Sequence, residues 1–312
     1  MIAIILIVGL VFLLAICSVV AYCLFYYILD RRATYQESMD SITKDPDEAR
    51  RAAVMFSGTD EWKDEVHRIS KEWYIDSFDG LKLFGLFLEK ESHTYVILCH
   101  GLTSSHSGML GRAEHYYRNG FNVLIPDARA HGKSEGLYRG MGFLEKDDLK
   151  RWIEKIVSLD PDARIVITGE SMGASTVMMT AAQELPPQVK CVIEDCGYTS
   201  VWDIFTFQLK LRYHLPAFPF MNIASFLSKK KAGYDFKEAS PLNMITDCHL
   251  PILMIHGTGD MVVPYQHMEL LYERANEPKE FILVEGAGHC ISMVRDTKLY
   301  WDTIDTFINK HM

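Results

Sequence analysis

From residue 94 onward, two kinds of apolar stretch alternate along the chain. The first kind is short and uninterrupted: "TYVILCHG", "FNVLIPD", "ARIVITG", "VKCVIEDC", "LPILMIHG" and "KEFILVEG". Such runs suit strands buried on both faces of a parallel sheet. The second kind is longer, with apolar residues at helical spacing: "GMLGRAEHYYRNG", "FLEKDDLKRWIEKIVSL", "SMGASTVMMTAAQEL", "YQHMELLYERAN" and the closing "ISMVRDTKLYWDTIDTFINKHM". In the second of these, Leu144, Leu149, Trp152, Ile153 and Ile156 cluster on one face. This alternation predicts an α/β fold with right-handed crossovers. Upstream, "HRISKEWYIDSFDGLKLFGLFLEK" holds two alternating runs around Asp79-Gly80, a hairpin signal. The expected domain therefore spans residues 68–312. It is a mostly parallel eight-stranded sheet, opened by an antiparallel hairpin and flanked by helices.

Two regions depart from this rhythm. Residues 199–248 lie between "VIEDC" and "PILMIHG" and carry Trp202, Phe205, Phe207, Tyr213, Phe218, Phe220 and Phe226. A long insertion of this kind reads as a lid or cap. Residues 1–29 contain no charged side chain, and about 20 apolar residues suffice for a bilayer-spanning helix. A cleaved signal peptide would need a basic start and a small-residue cleavage site. No Lys or Arg precedes Arg31, so an uncleaved transmembrane anchor is expected. Tyr22, Tyr26 and Tyr27 stand near its C-terminal end, where interfacial aromatics are favoured. Arg31, Arg32, Lys44, Arg50 and Arg51 follow it. The positive-inside rule then predicts a single-pass membrane protein with its main domain on the cytoplasmic side. Residues 30–67 read as a polar stalk, with some helix near "DPDEARRAAVMF".

Composition narrows the function classes. The 312 residues are 48% hydrophobic, enough for one large domain. The net charge of −9 argues against a nucleic-acid partner, since no basic stripe is available to neutralise phosphates. Of seven cysteines, Cys17 and Cys23 lie in the apolar N-terminal run. Cys99, Cys191, Cys196, Cys248 and Cys290 are scattered, with no C-x-x-C pair. They read as reduced, mostly buried thiols, with Cys290 a packed one, and not as a disulfide framework or zinc site. No metal-ligand spacing or phosphate loop is present, so neither metal nor cofactor is expected. Lys229-Lys230-Lys231 reads as a solvated face of the insert, and Asp147-Asp148 as an exposed helix face.

The candidate chemistry centres on "ITGESMGAS", residues 167–175, which contains Gly169-Glu170-Ser171-Met172-Gly173. A G-x-S-x-G pattern between strand and helix is the setting of a nucleophile elbow. The glycines permit the sharp turn, and the first helical N–H groups favour negative charge at the serine oxygen. Serine needs an adjacent base oriented by a third group. The expected order after such an elbow is Ser, acid, His. "ILMIHGTGDMVVP" puts Asp260 after the penultimate strand, and "FILVEGAGHC" puts His289 after the last. Asp195, after "VIE", is a second candidate acid; otherwise it braces the elbow loop. "ILCHGLTSS" places His100-Gly101 at the end of a strand. There the backbone N–H of Leu102, with that of Met172, would form an oxyanion hole. His100 itself reads as shaping that loop.

"HGLTSS", "DARAHGKSEG", "GESMGA", "HGTGDMVVP" and "GAGH" occur in this order, and together they resemble the α/β-hydrolase superfamily. The chain is similar to its serine-aminopeptidase-like and acylglycerol-lipase or feruloyl-esterase-like branch, which includes membrane-anchored members. The resemblance covers residues 68–312. It implies Ser171 as nucleophile, Asp260 as acid and His289 as base. It also implies that Asp127, Arg129, His131 and Gly132 shape a structural loop. It does not reach residues 1–67, and the insert matches no motif. The expectation is a carboxylesterase working without cofactor on a small-molecule or lipid ester. Peptidase, amidase and thioesterase activity share the same triad. A non-catalytic, membrane-tethered binding protein is the reading from another class, and the complete triad opposes it.

Overall fold

A computed structural model describes residues 1–33 and 43–312, apart from the side chains at 3, 6, 10, 13 and 14. Strands β1 (Ser70–Asp76) and β2 (Lys82–Leu88) form the expected hairpin around Asp79-Gly80. Then follow β3 (Thr94–Cys99), β4 (Asn122–Pro126), β5 (Arg164–Glu170), β6 (Val189–Asp195), β7 (Ile252–Gly257) and β8 (Lys279–Val284). They form one eight-stranded sheet in the order β1-β2-β4-β3-β5-β6-β7-β8. The pairs β1–β2 and β2–β4 are antiparallel, and the remaining pairs are parallel. The edge strands β1 and β8 are only partly covered, whereas β4 and β7 are buried throughout.

Each central strand feeds both faces, because side chains alternate along it. Val96 and Leu98 of β3 join one apolar cluster with Trp62, Tyr116, Tyr300 and Phe307. Ile97 and Cys99 join another with Trp152, Ile153, Ile156 and Met178. This explains the uninterrupted apolar runs.

The N-terminal apolar run does form a helix, α1 (Ile2–Leu29). Among the described residues, however, no helix is long and apolar enough to cross a membrane. That overturns the expected transmembrane anchor at 1–29, the single-pass membrane localisation with a cytoplasmic domain, and partnership with a membrane through this helix. In the C-terminal half of α1 one face packs on the protein itself, while Val19, Tyr22 and Tyr27 stay exposed. Cys17, Ala21, Phe25 and Leu29, each four residues apart, are buried. The Phe25 ring meets Tyr138 at 5.5 Å. The Arg139 guanidinium donates to the Ile28 carbonyl at 2.7 Å. Arg31 and Arg32, read from sequence as flanking charges, make specific contacts. Arg31 donates to the carbonyls of Ser134 and Gly132 at 2.5 and 2.6 Å, and Arg32 pairs with buried Asp30 at 2.6 Å. An apolar helix reads the same in sequence whether lipid or protein covers it.

Residues 34–42 of the expected stalk lie outside the described residues. Within its remainder, α2 (Pro46–Ser57) begins at Asp45, whose side chain accepts from Asp47 N–H at 2.9 Å. Helix α3 (Asp60–Ile69) is capped by Thr59. Both pack on the domain: Trp62 is buried and donates from Nε1 to the Leu110 carbonyl at 2.7 Å. That carbonyl starts α4 (Leu110–Arg118).

On the other sheet face lie α5 (Glu145–Leu159) and α6 (Met172–Ala181). The paired acids of α5 correct the reading of an exposed face. Asp148 is only 4% exposed and takes two bonds from Arg129, at 2.7 and 2.8 Å. Arg129 also reaches Asp79 in the hairpin turn. Residues 199–248 contain α7 (Val201–Tyr213), α8 (Phe220–Lys231) and the short α9 (Pro241–Met244). Helix α8 packs against α1. The lysines at its end are exposed, with Lys229 paired to Glu238. After β7 comes α10 (Gln266–Arg274). The closing helix is split into α11 (Ser292–Arg295) and α12 (Thr297–His311), because Asp296 caps the second piece and accepts from Leu299 N–H at 3.0 Å.

Candidate active site

Ser171 joins β5 directly to α6, with φ 53° and ψ −114°. Few side-chain-bearing residues adopt a positive φ, and it costs on the order of 1–3 kcal/mol. Backbone bonds hold it there. Ser171 N–H donates to the Asp195 carbonyl at 2.8 Å, and Ser175 N–H donates to the Ser171 carbonyl at 3.0 Å. The flanking glycines are needed for a steric reason. A Cβ at Gly173 would lie 2.0 Å from the Cys99 carbonyl oxygen, and one at Gly169 would lie 2.4 Å from the Gly173 backbone. The G-x-S-x-G spacing thus follows from how tightly α6 presses on β3 and β5.

The loop after β7 carries Asp260, and the loop after β8 carries His289. His289 Nε2 stands 2.8 Å from Ser171 Oγ, and Nδ1 stands 2.7 Å from Asp260 Oδ2. Asp260 Oδ1 accepts from Val262 and Val263 N–H, both at 2.8 Å. Asp260 and His289 are 4% and 3% exposed. Burial would raise the Asp260 pKa, but the neighbouring His289 charge and hydrogen bonds from His256 and His289 hold it well below the usual carboxylate range. For His289, burial pushes down, and the Asp260 carboxylate outweighs it and raises the imidazole. The pair therefore favours a carboxylate beside an imidazolium, the state a base reaches on taking a proton.

The other sequence candidates sort themselves around this line. Leu102 and Met172 border the same cavity as Ser171. Asp195 stays behind the elbow. Its carboxylate accepts from Tyr300 Oη–H at 3.0 Å and lies 3.6 Å from Arg112. His100 is buried, which lowers its pKa. Its Nδ1–H donates to the Gly101 carbonyl at 2.7 Å, and Nε2 accepts from Ala128 N–H at 3.0 Å. Both ring nitrogens are thus engaged in loop contacts. Asp127 accepts from His106 and Lys133 N–H, and His131 donates to the Arg129 carbonyl.

Three contributions escape sequence reasoning. Buried Arg112 pairs with Glu170 at 2.8 Å and donates to the Cys290 carbonyl at 3.1 Å, tying the elbow to the His289 loop. Its only sequence signal is its place with Ala113 and Tyr116 on the apolar face of α4. His256 is fully buried, donates to the Val263 carbonyl at 2.8 Å and lies 3.4 Å from Asp260. The third is α1. A cavity opens from Ser171 and is walled by Leu24, Phe25, Ile28 and Leu29 of α1. Opposite stand Ile204, Phe205 and Leu209 of α7, Phe220 and Met221 of α8, and Val262-Val263. The lining is overwhelmingly apolar, as ligand sites commonly are.

Residues 94–214 match the family described as the alpha/beta hydrolase fold. The chain is 33% identical over 215 residues to the protein YqkD of Bacillus subtilis (strain 168), covering 69% of this chain and 70% of that one. It is 25% identical over 240 residues to Rv2307c of Mycobacterium tuberculosis, covering 76% and 78%. Among solved structures it is similar to the esterase Pf2001 of Pyrococcus furiosus, with TM-score 0.65 and 25% identity over 80% of this chain and 95% of that one. The sheet order, the strained serine between β5 and α6, and these likenesses converge: this chain belongs to the α/β-hydrolase superfamily.

Proposed function

We propose that the protein is a serine hydrolase that cleaves carboxylic esters of an apolar acyl or aryl group through an acyl-enzyme intermediate. Ser171 Oγ attacks the ester carbonyl while His289 Nε2 takes its proton. Asp260 orients the imidazole and stabilises its charged form. The backbone N–H groups of Leu102 and Met172 receive the developing oxyanion. His289 then protonates the departing alcohol. A water, deprotonated by the same imidazole, releases the acid. This chemistry requires no cofactor.

The observation that carries this reading is the hydrogen-bonded line Asp260–His289–Ser171 ending at an apolar cavity. The esterase Pf2001 among the structural neighbours supports an ester over an amide. Residues 199–248, whose α7 and α8 border the cavity, act as its cap. A fluorophosphonate probe tests the nucleophile: wild type is labelled and Ser171→Ala is not. Equal labelling of both ends the serine-hydrolase reading and leaves a binding protein on a hydrolase scaffold. A panel of p-nitrophenyl esters, anilides and thioesters tests the bond. Faster turnover of anilides or thioesters would replace ester by amide or thioester.

A further inference from the structure

Two thiols stand beside His289 that ester hydrolysis does not use. Cys196 directly follows β6, and Cys290 directly follows His289. Their sulfurs are 3.4 Å apart. They are 1% and 8% exposed. Both backbones are left-handed, with φ 54° at Cys196 and 60° at Cys290. Residues with side chains hold such conformations only where the surroundings impose them, so the fold fixes where these sulfurs sit. One ligand atom from each of Cys196, His289 and Cys290 lies within 4.8 Å of the other two.

We propose that Cys196, His289 and Cys290 form a binding site for a thiophilic divalent metal ion of the Zn²⁺ or Cd²⁺ kind, which on binding withdraws His289 from Ser171. Tetrahedral zinc, with bonds of about 2.3 Å to sulfur, spaces two sulfur ligands roughly 3.8 Å apart. The sulfur pair, at 3.4 Å, needs to open by only about 0.4 Å to meet that spacing. A disulfide would instead need the sulfurs at about 2.05 Å. A ligating imidazole commonly donates its other N–H to a carboxylate, and His289 Nδ1–H already does so to Asp260 at 2.7 Å. That leaves Nε2, now at Ser171, as the nitrogen for the metal. Three protein ligands leave a fourth coordination position for a water or another ligand.

The step balances without redox change. Two S–H bonds break, two protons leave to solvent, and two thiolates neutralise the dication. Without metal the thiols stay protonated. Cys196 is raised by burial first, and by Cys290 beside it. At Cys290 the hydrogen bond with Cys196 favours the thiolate, but burial pushes the thiol up to about 12. Metal affinity therefore rises with pH. The site stands on its own geometry, and only its inhibitory consequence rests on the esterase reading.

Titration of the reduced, full-length chain with Cd²⁺ alone tests it, read by thiolate-to-metal absorption in the ultraviolet. One Cd²⁺ per chain is expected, with fluorophosphonate labelling lost in proportion and restored by a chelator. Cys196→Ala and Cys290→Ala should each remove the one-to-one absorption. Asp260→Asn should weaken Cd²⁺ binding roughly 10–100-fold. Should a thiol variant not fold, His289→Ala decides, since it keeps both sulfurs and should still lose the tight one-to-one complex. No absorption in wild type overturns the site. So does an unchanged one-to-one complex in the double thiol variant or in His289→Ala. A chain that binds Cd²⁺ this way but hydrolyses no ester keeps the site and loses the esterase reading. A chain that hydrolyses esters without such absorption does the reverse.

Discussion

Ser171 and Phe25 border one cavity but reach it by different routes. Ser171 is placed by local rules. Its neighbours at 169 and 173 must lack side chains because the backbone of β3 and α6 passes within van der Waals distance, so the spacing is written into five consecutive residues. Phe25 is placed by a helix 146 residues away in sequence. Nothing near it indicates whether the apolar face of α1 meets lipid, solvent or another part of the chain. The contrast shows that site geometry set by backbone sterics leaves a short, specific sequence trace. A cavity wall built by generic apolar packing leaves none.

The largest effect should fall on the locally encoded side. Ser171→Ala should lower ester turnover on the order of 10⁶-fold, measured as kcat, with Tm retained. Next comes Asp260→Asn, expected to cost about 10⁴-fold in kcat, with a diagnostic pH shift. His289 works as a base only when neutral, so activity should rise with pH through its pKa. Asp260 raises that pKa, so the acid limb should lie above the ordinary histidine value of 6.5 in the wild type and move down in Asp260→Asn. An unmoved limb would mean that Asp260 is not the partner of the titrating base.

Arg129→Ala separates fold from chemistry. It leaves Asp148 buried without its partner, which should cost about 3–5 kcal/mol of stability, seen as a lower denaturation midpoint. Turnover of the molecules still folded should change little. The smallest effect tests the wall. Ile28→Trp, which fills part of the cavity, should shift preference from longer toward shorter acyl esters by about 1–3 kcal/mol in kcat/KM ratios. Val8→Ser, 62% exposed on the same helix, should leave that ratio unchanged and stability within about 0.5 kcal/mol. Equal responses at the two positions would remove α1 from the cavity wall.

Much of the fold was legible because its signals are periodic and local. The uninterrupted apolar runs became strands buried on both faces, and Asp79-Gly80 marked the hairpin. Asp260 could be ranked above Asp195 because it follows the penultimate strand, as His289 follows the last. The structure puts them in line with Ser171, while Asp195 accepts from Tyr300 behind the elbow. Asp148 was misjudged because its partner Arg129 comes from a distant loop, and a carboxylate on a helix reads as solvated until such a partner is known. Arg112 and Tyr300 were missed for the same reason. The thiols of Cys196 and Cys290 read as separate residues, since 94 positions divide them.

By itself, the sequence determined the strand–helix order, the glycine-framed serine and the candidate acid and base, because each depends on neighbours within a few residues. The tertiary structure alone decided that α1 ends as a cavity wall, that Arg112 ties the elbow to the His289 loop, and that two thiols flank the imidazole. Those contacts join elements far apart in the chain through apolar packing and buried charge. Neither has a period or a spacing that a linear sequence can display.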